Sequence, residues 1–169
     1  MIELLILYIL NMRDRTVYGL RRDILERFGA FTKPSLGTIY PALKRLLAKG
    51  AVKFEQRYSE GGKKSTYYSA EPSAKRIFKE YFTEEISENP TIFHNQLSAR
   101  LLTLSMLEKS ERDDFLDNLL KRIELKKADV EKAVNNKYIE YDEIQKAVLS
   151  ETLSAVESLE KTVQRLKTY

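Results

Sequence analysis

The 169-residue sequence predicts a mainly α-helical protein that carries one two-stranded β-ribbon. Its six glycines all lie within residues 19–62, and after Pro90 the chain contains neither glycine nor proline. Because those two residues interrupt helices, and apolar residues recur at helical spacing after Pro90, residues 91–169 should be almost wholly helical. The earlier half contains one segment in which apolar and polar residues alternate, which is the pattern of a strand.

The charge of the chain is divided unevenly between the same two halves. Residues 1–82 contain 16 Lys and Arg against 8 Asp and Glu, a net charge of +8. Residues 83–169 contain 13 against 17, a net charge of −4. A basic half joined to an acidic half indicates that the first half meets a polyanion.

The composition excludes most enzyme classes. The chain has no cysteine and a single histidine, His94, so it cannot form a disulfide, a thiolate metal site or a multi-histidine metal site. It contains no Walker loop, nucleotide fingerprint or nucleophile elbow. We therefore predict no catalytic residue, no metal ligand and no cofactor, and we interpret His94 as structural.

The apolar stretches are too short for a membrane protein. None approaches the roughly 20 residues that cross a bilayer. Residues 2–10 are apolar apart from Glu3, without the basic flank or cleavage site of a signal peptide. We expect a soluble cytoplasmic protein whose first helix is buried on more than one side.

Two helices and a turn follow this first segment. Thr16 can cap a helix over residues 17–28, and a loop leads to a third helix that ends at Gly50. One face of the third helix is apolar, while the other is small, polar and basic, which suits close approach to a groove of DNA. Tyr40 lies at the edge of the apolar face, where it can either contact DNA or only pack against the core.

A β-ribbon and a fourth helix complete this half. Residues 52–58 alternate, with Val52, Phe54 and Tyr58 on one face, and residues 61–64 form the tip of a hairpin. The return strand places Tyr67 and Tyr68 on opposite faces, so one should lie in the core and the other in solvent. Two helices followed by a ribbon with a basic tip predict a winged helix-turn-helix over residues 1–88.

The acidic half predicts an all-α dimerisation domain over residues 91–169. Three helices are expected. The first spans residues 92–108, the second begins at a capping box formed by Ser110 and Asp113, and the last spans residues 138–167. The last helix would be about 45 Å long, whereas a domain of this size is only about 25 Å across. It should therefore overhang its own domain and pair with a second chain. The alternative is a three-helix bundle within one chain.

The apolar seam of this last helix is the predicted dimer contact. Its members are Leu149, Leu153, Val156, Leu159, Val163 and Leu166.

Three segments resemble the PadR family of winged-helix transcriptional regulators: VYGLRRDIL, LGTIYPALKRLLAKGAV and KKSTYYSAEP. The run from Gly37 to Pro41 carries the most specific part of the resemblance. The chain departs from the family at Glu71 and Ser73, and it has no tryptophan. The resemblance implies a dimeric repressor that acts on a promoter and that, in some members of the family, is released by a small-molecule effector.

The same resemblance places Tyr18, Thr38, Tyr40 and Lys44 at or near the DNA, with Lys63 and Lys64 on the wing. The residue pattern adds three more positions. The candidate DNA-binding residues are Tyr18, Lys33, Ser35, Thr38, Tyr40, Lys44, Arg45, Lys63 and Lys64.

The predicted function is that of a homodimeric, sequence-specific DNA-binding repressor acting on a pseudo-palindromic promoter site. The alternative is a protein-interaction adaptor whose winged helix no longer binds DNA.

Overall fold

The computed structural model describes residues 1–58, 62–87 and 89–169, and it confirms a mainly helical fold with one two-stranded antiparallel sheet. The elements in these ranges are α1 (Ile2–Met12), α2 (Val17–Phe28), α3 (Leu36–Ala48), β1 (Val52–Tyr58), β2 (Lys64–Ala70), α4 (Ala74–Thr83), α5 (Pro90–Leu102), a short 3₁₀ turn (Leu104–Met106), α6 (Lys109–Val134) and α7 (Glu143–Leu166). Within the described ranges, no helix is long and apolar enough to cross a membrane.

The chain divides into two compact units, Met1–Met106 and Leu107–Tyr169. These units are defined by contacts within the chain, whereas the predicted domains are defined by function. The assignment of DNA binding to residues 1–88 and of dimerisation to residues 91–169 stays a prediction. Its boundary at Glu88 falls outside the described residues.

Helix α1 forms the centre of the first unit. Eight of its residues are buried, as expected for a helix covered on more than one side. It packs against α2, α3, α4 and β2. Helices α2, α3 and α4 and strand β2 therefore pack around one nearly apolar helix.

The helix-turn-helix is defined by its caps. The Thr16 hydroxyl accepts the Gly19 backbone N–H at 3.1 Å and begins α2, as predicted. Helix α3 begins at Leu36, so Pro41 lies in its second turn, where it cannot donate a helical hydrogen bond. Gly50 ends α3 with φ of +66°, a conformation that side chains other than glycine rarely adopt.

The strands β1 and β2 form the wing. Their register pairs Val52 with Ala70 and Tyr58 with Lys64. The predicted tip at residue 61 lies outside the described residues, as do residues 59 and 60.

The predicted apolar face of the wing is wrong beyond its first residue. Val52 is buried, but Phe54 and Tyr58 are both exposed. Tyr67 and Tyr68 are each half-buried, so neither is a core residue. The reason is that the ribbon extends away from the core, which covers only its base.

Helices α4 and α5 follow the wing. Helix α4 confirms the predicted fourth helix and buries Ile77, Phe78 and Phe82. Helix α5 ends at Leu102, before the predicted end at residue 108. Thr103 is buried there, and its hydroxyl donates to the Ala99 carbonyl at 2.8 Å.

The second unit is an antiparallel pair of helices, α6 and α7. Lys127 on α6 pairs with Glu160 on α7 at 3.1 Å, and Lys167 pairs with Asp117. Helix α6 ends at Val134, seven residues after Lys127. Because the two helices run antiparallel, the end of α6 lies opposite the residue of α7 that comes seven positions before Glu160, which is Leu153. The first turns of α7 therefore extend beyond the end of α6.

Helix α6 begins earlier than the sequence predicts, and α7 begins later. The Glu111 side chain, not Asp113, accepts a backbone N–H at the start of α6, donated by Glu108. The Asp142 carboxylate accepts the Gln145 N–H at 2.8 Å, so α7 begins at Glu143 instead of residue 138.

Helix α6 covers part of the predicted seam. Val163 is fully buried within the chain, and the other five members, Leu149, Leu153, Val156, Leu159 and Leu166, are half-buried. Their role in contacting a second chain stays a prediction.

Candidate nucleic-acid interface

One side of α3 is exposed and polar. Ile39, Leu43 and Leu46 pack into the core, while Thr38 and Lys44 point into solvent. At the helix start, the hydroxyls of Ser35 and Thr38 lie 3.2 Å apart. A recognition helix contacts base edges through the residues at its N-terminus, so this end of α3 has the residues and exposure that such contacts need.

Tyr40 lies on the exposed side of α3, with 44% of its surface accessible. Its side chain is therefore not buried in the core, and a contact with DNA stays a prediction. Burial raises the pKa of Tyr68, and the nearby Tyr40 adds to that shift. The ring of Phe54 lies 6.2 Å from that of Tyr68.

The Arg45 guanidinium is held by α1. Its Nε and Nη2 atoms donate to Glu3 Oε1 at 2.8 and 2.5 Å. Burial raises the pKa of the Glu3 carboxyl, but hydrogen bonds from its own backbone and from Arg45, with the charges of the N-terminus and Arg45, outweigh that effect and lower it. Arg45 therefore fixes α3 on α1, and a role for it at the DNA stays a prediction.

This ion pair predicts a pH dependence of stability. A carboxyl whose pKa is lower in the folded state stabilises the protein fully above its unfolded pKa, about 4.3, and that contribution is lost as the pH falls through the folded value. Glu3→Gln should therefore lower stability at pH 7 and flatten the loss of stability between about pH 5 and pH 3. Urea denaturation at several pH values measures both effects. An equal acid slope in wild type and variant would contradict the assignment.

The basic tip of the wing is exposed. Lys63 and Lys64 are both accessible, and the Lys64 ammonium lies 6.0 Å from the centroid of the Tyr58 ring. Tyr58 and Phe54 offer exposed aromatic surface on the same ribbon. The sequence pattern did not identify these two aromatics as surface residues, because alternation alone does not reveal where the core ends.

A set of contacts at the base of the wing was also missed. Arg15 and Tyr68 exchange backbone hydrogen bonds at 2.9 and 2.8 Å, so Arg15 extends the sheet by one bridge. The Arg15 side chain donates to the buried Asp23 at 2.7 Å. Arg57 on β1 pairs with Asp14. These contacts fix the wing relative to α2, and no local motif signals them.

The remaining predicted residues are exposed on the same unit. Tyr18 lies in the first turn of α2, and Lys33 lies in the turn between α2 and α3. All nine predicted DNA-binding side chains are thus accessible, although Arg45 is bound to Glu3.

Comparison with known proteins identifies the fold. The model of the PadR-like family of transcriptional regulators matches residues 6–80. A PadR family transcription regulator from Clostridium difficile is 30% identical over 47% of this chain and 80% of its own, with a TM-score of 0.42. The chain belongs to the PadR-like family. Members of this family are transcriptional regulators and not enzymes.

Two further PadR structures are similar to the whole chain. Bacillus subtilis PadR in complex with operator DNA is 17% identical, covering 98% of this chain and 96% of that one, with a TM-score of 0.44. The same protein in complex with p-coumaric acid is 16% identical, covering 98% and 93%, with a TM-score of 0.39. No curated protein matches the chain.

Proposed function

We propose that this PadR-like regulator is a homodimeric, sequence-specific DNA-binding repressor of the cytoplasm. Helix α3 enters the major groove, and the wing lies along the phosphates or the adjacent minor groove. Two-fold symmetry requires a pseudo-palindromic operator, with half-sites separated by about one helical turn or a multiple of it.

The observation that carries DNA binding is the exposed polar side of α3. Thr38 and Lys44 are free to solvent at the position where a helix-turn-helix contacts base edges and phosphates. The salt bridge from Arg45 to Glu3 attaches α3 to α1, and the bridge from Arg15 to Tyr68 attaches the base of the wing to the segment before α2. Such contacts favour specific binding, because less order has to be gained on the DNA.

The dimer is supported by apolar surface on α7. Ile144 and Val148 lie in the part of α7 that extends past α6, and they are 77% and 61% exposed. Ile139 and Val134 add exposed apolar surface at the same end of the helix pair. Together with the half-buried seam, this surface is suited to burial against the same surface of a second chain.

The repressor role and release by a small-molecule effector rest on family membership. In Bacillus subtilis PadR the bound compound is p-coumaric acid. We assign no residue of this chain to the effector.

A salt titration distinguishes the repressor from the protein-interaction adaptor. Binding to phosphates releases counterions, so DNA affinity should fall steeply between about 50 and 200 mM salt. An adaptor that binds through apolar helices would instead keep its affinity for its partner as salt rises. Absence of DNA affinity at low salt would favour the adaptor.

Lys44→Ala should weaken binding to all DNA sequences and lower the slope of log affinity against log salt by about one unit, as expected for one lost phosphate contact. Lys161→Ala, an exposed lysine on α7, is the matched control and should leave the slope unchanged. Fluorescence anisotropy with labelled duplexes measures both. An unchanged slope for Lys44→Ala would remove Lys44 from the interface.

A further inference from the structure

Helix α5 contributes a buried arginine to the end of α4. Arg100 is only 5% exposed. Its Nε donates to the Phe82 carbonyl and its Nη2 to the Glu84 carbonyl, each at 2.7 Å. Longer hydrogen bonds of 3.4 Å reach the carbonyls of Tyr81 and Gln96. The guanidinium thus joins three backbone carbonyls at the C-terminus of α4 to α5.

The C-terminus of α4 is a favourable binding site for an arginine. The last carbonyls of a helix lack partners within the helix and carry its negative dipole end, so a cation is favoured there. Burial lowers the pKa of Arg100, while the charge of Glu84 opposes that shift. An arginine nonetheless stays charged in proteins. Its planar fork of donors fits several carbonyls at once, whereas a lysine offers one rotating ammonium.

Two more contacts attach α5 to the winged helix. The Ser87 backbone N–H donates to Gln96 Oε1 at 2.9 Å, which ties the connecting segment to α5. The ring of His94 lies 6.4 Å from that of Phe31, which belongs to the turn between α2 and α3. These contacts attach α5 to the winged helix within the first unit.

The position of α5 matters because of where the chain goes next. After Leu102, only residues 103–108 separate α5 from α6, the first helix of the pair proposed to dimerise. A rotation of α5 on the winged helix would therefore change the direction in which the chain leaves this unit for α6. In a dimer, it would change the distance between the two copies of α3.

We propose that Arg100 is a positioning residue that fixes the half-site spacing of the operator, by locking α5 to the C-terminus of α4. The proposal rests on the proposed function, because it requires a dimer with two DNA-binding units. The proposal requires no contact between Arg100 and DNA.

The test uses synthetic duplexes with two inverted copies of a half-site selected by the full-length protein from random DNA. The spacer between the copies is varied one base pair at a time, and a second set of duplexes carries one half-site. The variants are Arg100→Met, which removes the fork and the charge, and Arg100→Lys, which keeps the charge. Arg76→Met removes an exposed arginine that pairs with Glu80 within α4, and it serves as the control.

Wild type and Arg76→Met should lose at least about a hundredfold in affinity when the best spacer changes by half a helical turn, because both half-sites can no longer be engaged together. For the same change of spacer, the affinity of Arg100→Met should fall by less than about tenfold, and its affinity at the best spacer should already be lower than that of wild type. The loss for Arg100→Lys should lie between those of wild type and Arg100→Met. Affinity for a single half-site should be equal in all four proteins. General misfolding would instead lower single-site affinity as well.

The outcomes separate the two proposals. A wild-type monomer, or a wild type without spacing preference, would overturn the proposed dimeric function. A dimeric wild type with a sharp spacing preference that Arg100→Met shares would overturn the role of Arg100. If Arg100→Met does not fold, as judged by circular dichroism, Arg100→Lys decides, and an unchanged spacing profile would overturn the proposal.

Discussion

Thr38→Asp is expected to abolish specific DNA binding while the protein stays folded. Thr38 is exposed in the first turn of α3, after the cap at Ser35. A carboxylate at this position favours the helix by about 0.3–1 kcal/mol, because it complements the helix dipole. At the DNA the same charge faces phosphates, and like charges at an interface cost several kcal/mol. Since about 1.4 kcal/mol is tenfold, affinity should fall at least a hundredfold.

The matched control for this variant is Ser110→Asp. Ser110 is exposed in the first turn of α6, so the substitution adds the same charge to the first turn of a helix in the other unit. It should leave DNA affinity within about twofold at moderate salt, where distant charges are screened. Anisotropy titrations and thermal melts on both variants are the measurement. Full operator affinity in Thr38→Asp would show that the start of α3 does not meet the DNA.

Val148→Asp is expected to convert the proposed dimer to a folded monomer. Val148 is 61% exposed within one chain, so the substitution should change the stability of the monomer by no more than about 0.5 kcal/mol. If a second chain covers it, an unpaired carboxylate is buried at a cost of several kcal/mol. By symmetry the dimer carries that cost twice. The dissociation constant of the dimer should rise at least about a hundredfold.

Val148 is a sharper probe of the dimer than the seam itself. Val156 is half-buried within the chain, and an aspartate there would also weaken the contact between α6 and α7. Ser154→Asp is the control, because residue 154 is exposed and lies about 240° around α7 from Val148. Sedimentation velocity on the three proteins decides. A Val148→Asp variant that remains dimeric would show that the extending end of α7 is not the contact.

The helices were predictable because burial leaves a periodic signal. The apolar residues of α1, α2 and α4 recur on one side or on all sides, and the structure buries them accordingly. Caps with a usual sequence were also predictable, as Thr16 shows. The cap of α6 was placed wrongly because Glu108 is not among the usual N-cap residues.

The polar contacts that hold the candidate interface were not predictable from the sequence. Glu3 and Arg45 are 42 positions apart, and Arg100 binds carbonyls 16 to 19 positions earlier. No periodicity links such residues, because their meeting depends on how the helices pack in three dimensions. The exposure of Phe54 was missed for a related reason. Alternation defines two faces of a strand, but the extent of the core decides which face is covered.

Footprinting on operator DNA shows whether the protein binds DNA as a symmetric dimer. Wild-type protein bound to the promoter region of its own gene should protect two segments related by two-fold symmetry from hydroxyl-radical cleavage, with centres about one helical turn or a multiple apart. Thr38→Asp at the same concentration should protect neither. Uniform cleavage of the promoter by wild type, or one asymmetric protected segment, would contradict a dimeric DNA-binding regulator.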